Sequence, residues 1–169
     1  MYTLPSSGGE MTPLTTSDSS SVYSISYFPN DERILFRMDG YGDEIYKLFV
    51  MEDDSITRLT PAENVRALFY GWSKDGDKFY YGSNERDPRF SDVYEMDVES
   101  FTSTMVFDNS EGYNFGGVSN NGNYIALTKS INTNDSDLFL YNRNDESFTK
   151  INSTQSGNTP QDFSVDDAY

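Results

Sequence analysis

Hydrophobic positions recur along this sequence in columns 45 to 47 residues apart, and the polar stretches between them recur in step. An aromatic or apolar residue precedes a turn at Tyr27, Trp72, Val118 and Phe163, in steps of 45, 46 and 45. A second column is Tyr2, Phe49, Tyr94 and Phe139, and a third is Leu14, Leu59, Met105 and Ile151. A fourth holds Ile34, Phe79 and Ile125. Chance matches do not stay in step over four columns, so the chain repeats one supersecondary unit.

The clearest copy of that unit predicts four strands. Residues 67–72 (Ala-Leu-Phe-Tyr-Gly-Trp) read as an inner strand, and Ser73 to Asp77 as a tight turn. There Asp75-Gly76 supplies the positive φ expected of a two-residue hairpin. Residues 78–81 are the next strand, followed by a polar loop from Ser83 to Ser91 that contains Pro88. Residues 92–96 and 101–106 complete an antiparallel meander. An earlier copy carries a turn at Pro29-Asn30-Asp31 and strands at 33–36, 47–51 and 56–60. Asn30 and Asp31 stand where Asp-Gly would, a substitution that Asn and Asp tolerate. A later copy uses Asn121-Gly122 for the turn and strands at 124–127, 138–141 and 148–151. Four-stranded meanders repeating at 45–46 residues predict an all-β fold made of β-propeller blades.

The expected organisation is a single partial propeller over residues 1–169. It comprises a half blade at 1–20, blades at 21–64, 65–110 and 111–156, and the start of another at 157–169. Residues 1–15, with a turn at Gly8-Gly9, match only the last two strands of a blade. Domain boundaries normally fall in linkers rather than inside sheets, so the expectation is a segment of a longer propeller. Open strand edges at such ends are sticky, so the isolated chain is expected either to draw its ends into a small, imperfect ring or to pair with a second copy as a homodimer.

Composition agrees with a β fold, because 15% of the residues are aromatic, with 13 Tyr and 12 Phe. Twenty-eight acidic residues face 12 basic ones, for a formal charge of −16. That surface repels phosphate backbones and argues against nucleic-acid partners and anionic membranes. No run of 18 apolar residues predicts membrane insertion. Cysteine and histidine are both absent. Their absence removes thiolate chemistry, Ser-His-Asp triads and His-based metal sites from the chain itself. No nucleophile elbow, phosphate loop or dinucleotide fingerprint occurs. Catalytic, cofactor-binding and metal-ligating residues are therefore expected to be none. A carboxylate pair able to hydrolyse glycosides stays open in principle, but no spacing selects one among 28 acids.

Several stretches carry polar groups worth weighing. The run Asn132-Thr133-Asn134-Asp135-Ser136-Asp137 superficially resembles a calcium loop but lacks the Gly and the distal Glu of such sites, and a solvated turn explains it better. Asp75-Gly76-Asp77 reads as turn chemistry rather than as a ligand set. Asn134-Asp135-Ser136 and Asn152-Ser153-Thr154 fit the glycosylation pattern, which arises by chance in a chain this rich in Asn and Ser. Trp72 sits in a repeated core column and reads as packing between blades. Asn84 to Phe90, with Arg86 and Arg89, is a long connection that reads first as a self-neutralised loop and second as a binding loop.

Trp72-Ser73-Lys74-Asp75-Gly76-Asp77-Lys78 resembles the repeat signature of TolB-like propellers. So do residues 48–51 followed by 56–60, and the segment from Tyr2 to Thr15. Ile25 to Asp31, Leu59 to Asn64, Gly71-Trp72-Ser73 and Asn84 to Pro88 resemble, more specifically, the propellers of bacterial prolyl oligopeptidase family serine peptidases. The signature weakens at Phe28 to Asp31 and at Val165-Asp166-Asp167. The resemblance implies a bacterial, non-catalytic scaffold that gates peptides toward a hydrolase domain, in the cytoplasm or periplasm. Expected partners are then a peptide or protein, or a hydrolase domain in cis. A TolB-like propeller binding a protein of the bacterial envelope is the alternative, and a carbohydrate enzyme built on carboxylates is a third.

Overall fold

The computed structural model describes residues 1–17, 19–60, 63–153 and 163–164. Its secondary structure is fourteen strands with no helix among the described residues. β1 (Tyr2–Thr3) pairs antiparallel with β2 (Thr12–Pro13). Three four-stranded antiparallel sheets follow. They are β3 (Val22–Tyr27), β4 (Ile34–Met38), β5 (Lys47–Glu52), β6 (Ser55–Arg58); then β7 (Ala67–Trp72), β8 (Lys78–Ser83), β9 (Asp92–Asp97), β10 (Ser103–Phe107); then β11 (Asn114–Val118), β12 (Tyr124–Ser130), β13 (Ser136–Asn142), β14 (Phe148–Lys150). In each sheet the strands neighbour one another in sequence order, so each is a meander. The chain forms two compact units, Met1–Leu68 and Phe69–Tyr169.

The apolar runs explain which strands lie inside. Lys47 through Met51 are all buried on β5, as are Phe79 through Ser83 on β8. Burial on both faces is what a continuous run, rather than an alternating one, encodes. Outer strands differ: every residue of β6 and β14 is exposed. In the first unit Phe36 stacks on Phe49 with centroids 5.5 Å apart, and Met51, Val22 and Leu14 pack around them. In the second, Val93, Phe107, Ile125 and Leu127 form the centre, with Tyr70 stacked on Phe115 at 4.2 Å. Rings at such separations add about 0.5–1.5 kcal/mol beyond their burial.

The repeat columns do not all become core. Phe79 and Ile125 are fully buried and Leu59 nearly so, whereas Tyr27, Met105 and Ile151 are exposed. Periodicity locates equivalent positions, but the local covering of each sheet sets their burial. Trp72 packs edge-on against Phe69 at 5.4 Å and Phe79 at 5.6 Å, both in its own sheet. These ring contacts lie within one blade, not between blades as expected from the sequence.

The turns depart from expectation in an instructive way. Ser73 N–H donates to the Lys78 carbonyl, and Gly76 N–H to the Ser73 carbonyl, so the loop between paired residues has four members rather than two. Gly76 still needs its left-handed φ of 78°, because it ends a type I turn. Ser119 to Tyr124 repeats the same bonds with Gly122 at φ 74°. The serines lock both loops: the Lys78 and Tyr124 amides each donate to the Ser73 or Ser119 hydroxyl at 2.9 Å. In the first sheet Phe28 replaces the serine and is buried, and Arg33 grips Asp31 instead. Neither Asn30 nor Asp31 adopts positive φ, so the tolerance expected of them is not used. The strand expected from Phe101 begins at Ser103, since Phe101 sits at φ 52° and donates its N–H to the Asp97 carbonyl to close the turn. The last signature, Val165-Asp166-Asp167, lies outside the described residues, as do Pro61-Ala62 and Thr154.

Candidate functional site

The repeated loops build a polar groove in the second unit, with a volume of about 330 Å³. Lys78 and Tyr80 alternate along β8 and so face the same side, and Glu95 stands directly opposite Tyr80 in the register with β9. The loop Asn120 to Asn123 and the residues just after β13, Arg143 and Asn144, form the other wall. Glu95 holds the two sides together. It accepts from Lys78 Nζ at 3.2 Å through one oxygen and from Arg143 at 2.9 Å through the other. Arg143 also donates to the Gly122 carbonyl at 2.8 Å, which fixes the loop against the guanidinium.

Burial pushes the Tyr80 hydroxyl above its ordinary pKa, with Arg143 partly opposing. Asp75, which also lines the groove, is held below its ordinary pKa by the Ser73 hydroxyl and the Asp77 N–H. Charges along the groove therefore compensate one another. It presents amide, hydroxyl and ionic hydrogen-bonding groups without a histidine or cysteine nucleophile, since the chain has neither.

Ser73, Asp75, Asn121 and Gly122 were flagged in sequence only as turn formers, Lys78, Tyr80 and Glu95 only as strand residues, and Arg143 not at all. The 46-residue repeat of the loops was the available signal for where they would meet. The other sequence candidates resolve individually. In the long connection, Arg86 makes a bidentate contact with the fully buried Asp92 at 2.7 and 2.8 Å and also meets Asp108 at 2.9 Å. Arg89 clasps Asp87, and Phe90 lies against Gly112. Both arginines are thus neutralised from within. In the Asn132 to Asp137 hairpin, Asn132 bonds Asp135, and Asp137 pairs with Lys150 at 2.6 Å. No cluster of three acidic, His or Cys side chains suited to a metal occurs among the described residues. Asn152 accepts from Leu138 N–H through its side chain, and Asn134 is exposed.

Comparison with solved structures decides the fold. TolB from Acinetobacter baumannii matches with a TM-score of 0.57 at 17% identity, over 98% of this chain and 38% of TolB. An oligogalacturonate lyase from Vibrio parahaemolyticus matches with a TM-score of 0.62 at 17% identity, over 94% of this chain and 46% of the lyase. A prolyl endopeptidase matches with a TM-score of 0.60 at 12% identity, over 88% of this chain and 25% of the enzyme. The chain has a β-propeller fold. It spans less than half the length of each of these proteins. No protein-family model matches the sequence, and no curated protein matches it either. The likeness to TolB and to prolyl peptidase propellers, first carried by the short motifs, thus holds at the level of the fold.

Proposed function

We propose that this chain is a non-catalytic propeller segment that scaffolds and gates a serine peptidase of the prolyl oligopeptidase kind. The observation that carries the reading is the groove around Glu95, whose compensated charges and hydrogen-bonding groups suit the backbone of a peptide in transit. The motifs at 25–31 and 84–88 support it, and so does the fold shared with a prolyl endopeptidase. A hydrolase domain in cis is the first partner in this reading, with peptides as the traffic. Pairing with a second copy through strand edges is a further proposal for the isolated chain.

A TolB-like role in binding a protein partner is the second reading, favoured by a match over 98% of the chain. Sequencing the DNA on both sides of the Met1 and Tyr169 codons separates the two. An in-frame continuation into a G-x-S-x-G elbow followed by Asp and His supports the peptidase reading, and residues 1–169 alone then show no peptidase activity. A stop codon without a hydrolase, with further blades only, overturns that reading in favour of the binding propeller.

A further inference from the structure

The charges of the groove around Glu95 balance, but its hydrogen-bonding capacity does not. Its acidic acceptors are spent. Glu95 receives Lys78 on one oxygen and Arg143 on the other, and Asp75 Oδ1 accepts the Ser73 hydroxyl and the Asp77 N–H within its own turn. Donors remain. Lys78 Nζ keeps N–H groups beyond the one it gives Glu95, and its side chain is 44% exposed. Tyr80 is only 6% exposed, yet it lines the groove. A Cβ added at Gly122, on the facing loop, would stand 3.6 Å from the Tyr80 hydroxyl, so it is the hydroxyl tip that reaches the groove wall. That hydroxyl is hydrogen-bonded to Arg143, which can only donate, and its own O–H meets no acceptor among the described residues. Asn123 and Asn144 also line the groove, held together where the Arg143 N–H donates to the Asn123 carbonyl at 2.8 Å. Only their backbone groups are engaged among the described residues, which leaves two carboxamides to offer. A shielded phenol O–H without an acceptor calls for one.

We infer that this groove anchors a carboxylate group, with the Tyr80 O–H and the Lys78 ammonium donating to its oxygens. The inference rests on the reading of the groove as a peptide site and names what the peptide brings to it. A cationic ligand meets two Glu95 oxygens that are already held by Lys78 and Arg143. An amide carbonyl offers a single oxygen to several donors. A carboxylate offers a pair, in bonds about twice as strong as neutral ones. Lys78 and Tyr80 lie two residues apart on one face of β8, so the two oxygens can be shared between them. The source is either the C-terminus of a peptide or an acidic side chain within it.

The test titrates the isotope-labelled chain with N-acetylated trialanine bearing a free C-terminus, in about 0.15 M salt, where repulsion from the acidic surface is screened within roughly 8 Å. The same peptide with an amidated C-terminus is the control, and a tripeptide blocked at both ends with a central glutamate is the second source. Saturable shifts centred on the Gly122, Asn123 and Asn144 amides are expected with the free carboxylate, and binding roughly 10- to 100-fold weaker with the amidated control. Tyr80→Phe, which removes only the O–H, should weaken the free-carboxylate peptide over the same range. Binding of the free C-terminus alone assigns a chain end, and binding of the glutamate peptide assigns a side chain; both support the anchor. Equal binding of the amidated control, or undiminished binding by a folded Tyr80→Phe protein, overturns the anchor and leaves the groove a peptide site. No saturation by any of the three, or shifts centred elsewhere, overturns the anchor and the peptide reading of the groove together. The comparison of free and amidated peptides on the unmodified chain decides the matter even where the variant does not fold.

Discussion

Glu95 and Arg143 stand 48 residues apart in sequence and meet at 2.9 Å, with side chains only 15% and 22% exposed. The pair ties β9 to the end of β13, and through Arg143 to the Gly122 carbonyl. Because both partners are largely shielded, removing one strands the other. Glu95→Gln and Arg143→Gln are each expected to cost about 1–3 kcal/mol in urea unfolding. The double variant should cost less than the sum, and strict additivity in the cycle would show that the two do not act together.

Asp92 is the most demanding polar group of the second unit. It is fully buried and accepts from Arg86 twice and from the Asn109 N–H at 2.7 Å. Asp92→Ala leaves the Asn109 amide without its acceptor and the guanidinium with Asp108 alone, and should cost about 1–3 kcal/mol. Arg86→Lys, which keeps the charge but loses the fork, should cost less. Thermal unfolding of the two variants side by side checks the order.

Glycine positions separate strain from crowding. At Gly76 a side chain meets the cost of a left-handed φ, about 1–2 kcal/mol. At Gly82 φ is ordinary, but an added Cβ overlaps the Tyr70 hydroxyl and presses that ring off Phe115. Gly82→Ala should therefore cost about 1–3 kcal/mol as overpacking. Gly82→Ala combined with Tyr70→Phe should recover part of the loss, whereas Gly76→Ala has no such rescue.

Asp87 titrates at about 2, held down by hydrogen bonds from the Arg89 side chain and then from its N–H. A depressed folded pKa stabilises the native state above the ordinary 3.8, and that contribution disappears as pH falls from there toward about 2. Carboxyl titration followed by NMR should place the Asp87 midpoint in the low range. Arg89→Gln should return it toward 3.8, and an unmoved midpoint would show that Arg89 is not the cause.

The strands were largely legible in advance because their signals are local. Residues 67–72 carry an apolar run ended by a turn, and the structure places β7 on those same residues. A period of 45–46 residues gave the repeat of the meander for the same reason. The Asp75-Gly76 signal located a real turn but not its length, since loop length depends on which residues pair across it. Phe101 in a left-handed turn had no sequence signal, because bulky side chains rarely take that conformation.

The charge pairing inside the groove was not legible. Glu95 is one acid among 28, and only the stacking of two sheets puts it between Lys78 and Arg143. The Tyr80 hydroxyl was equally silent, since burial and an unmet donor are properties of surroundings rather than of spacing. Sequence by itself determined the period, the strands, the turn positions and the absence of histidine and cysteine, all fixed by neighbours along the chain or by plain composition. Tertiary structure alone decided which repeated positions are buried and which charges meet, because burial and Coulomb energy depend on distances through space.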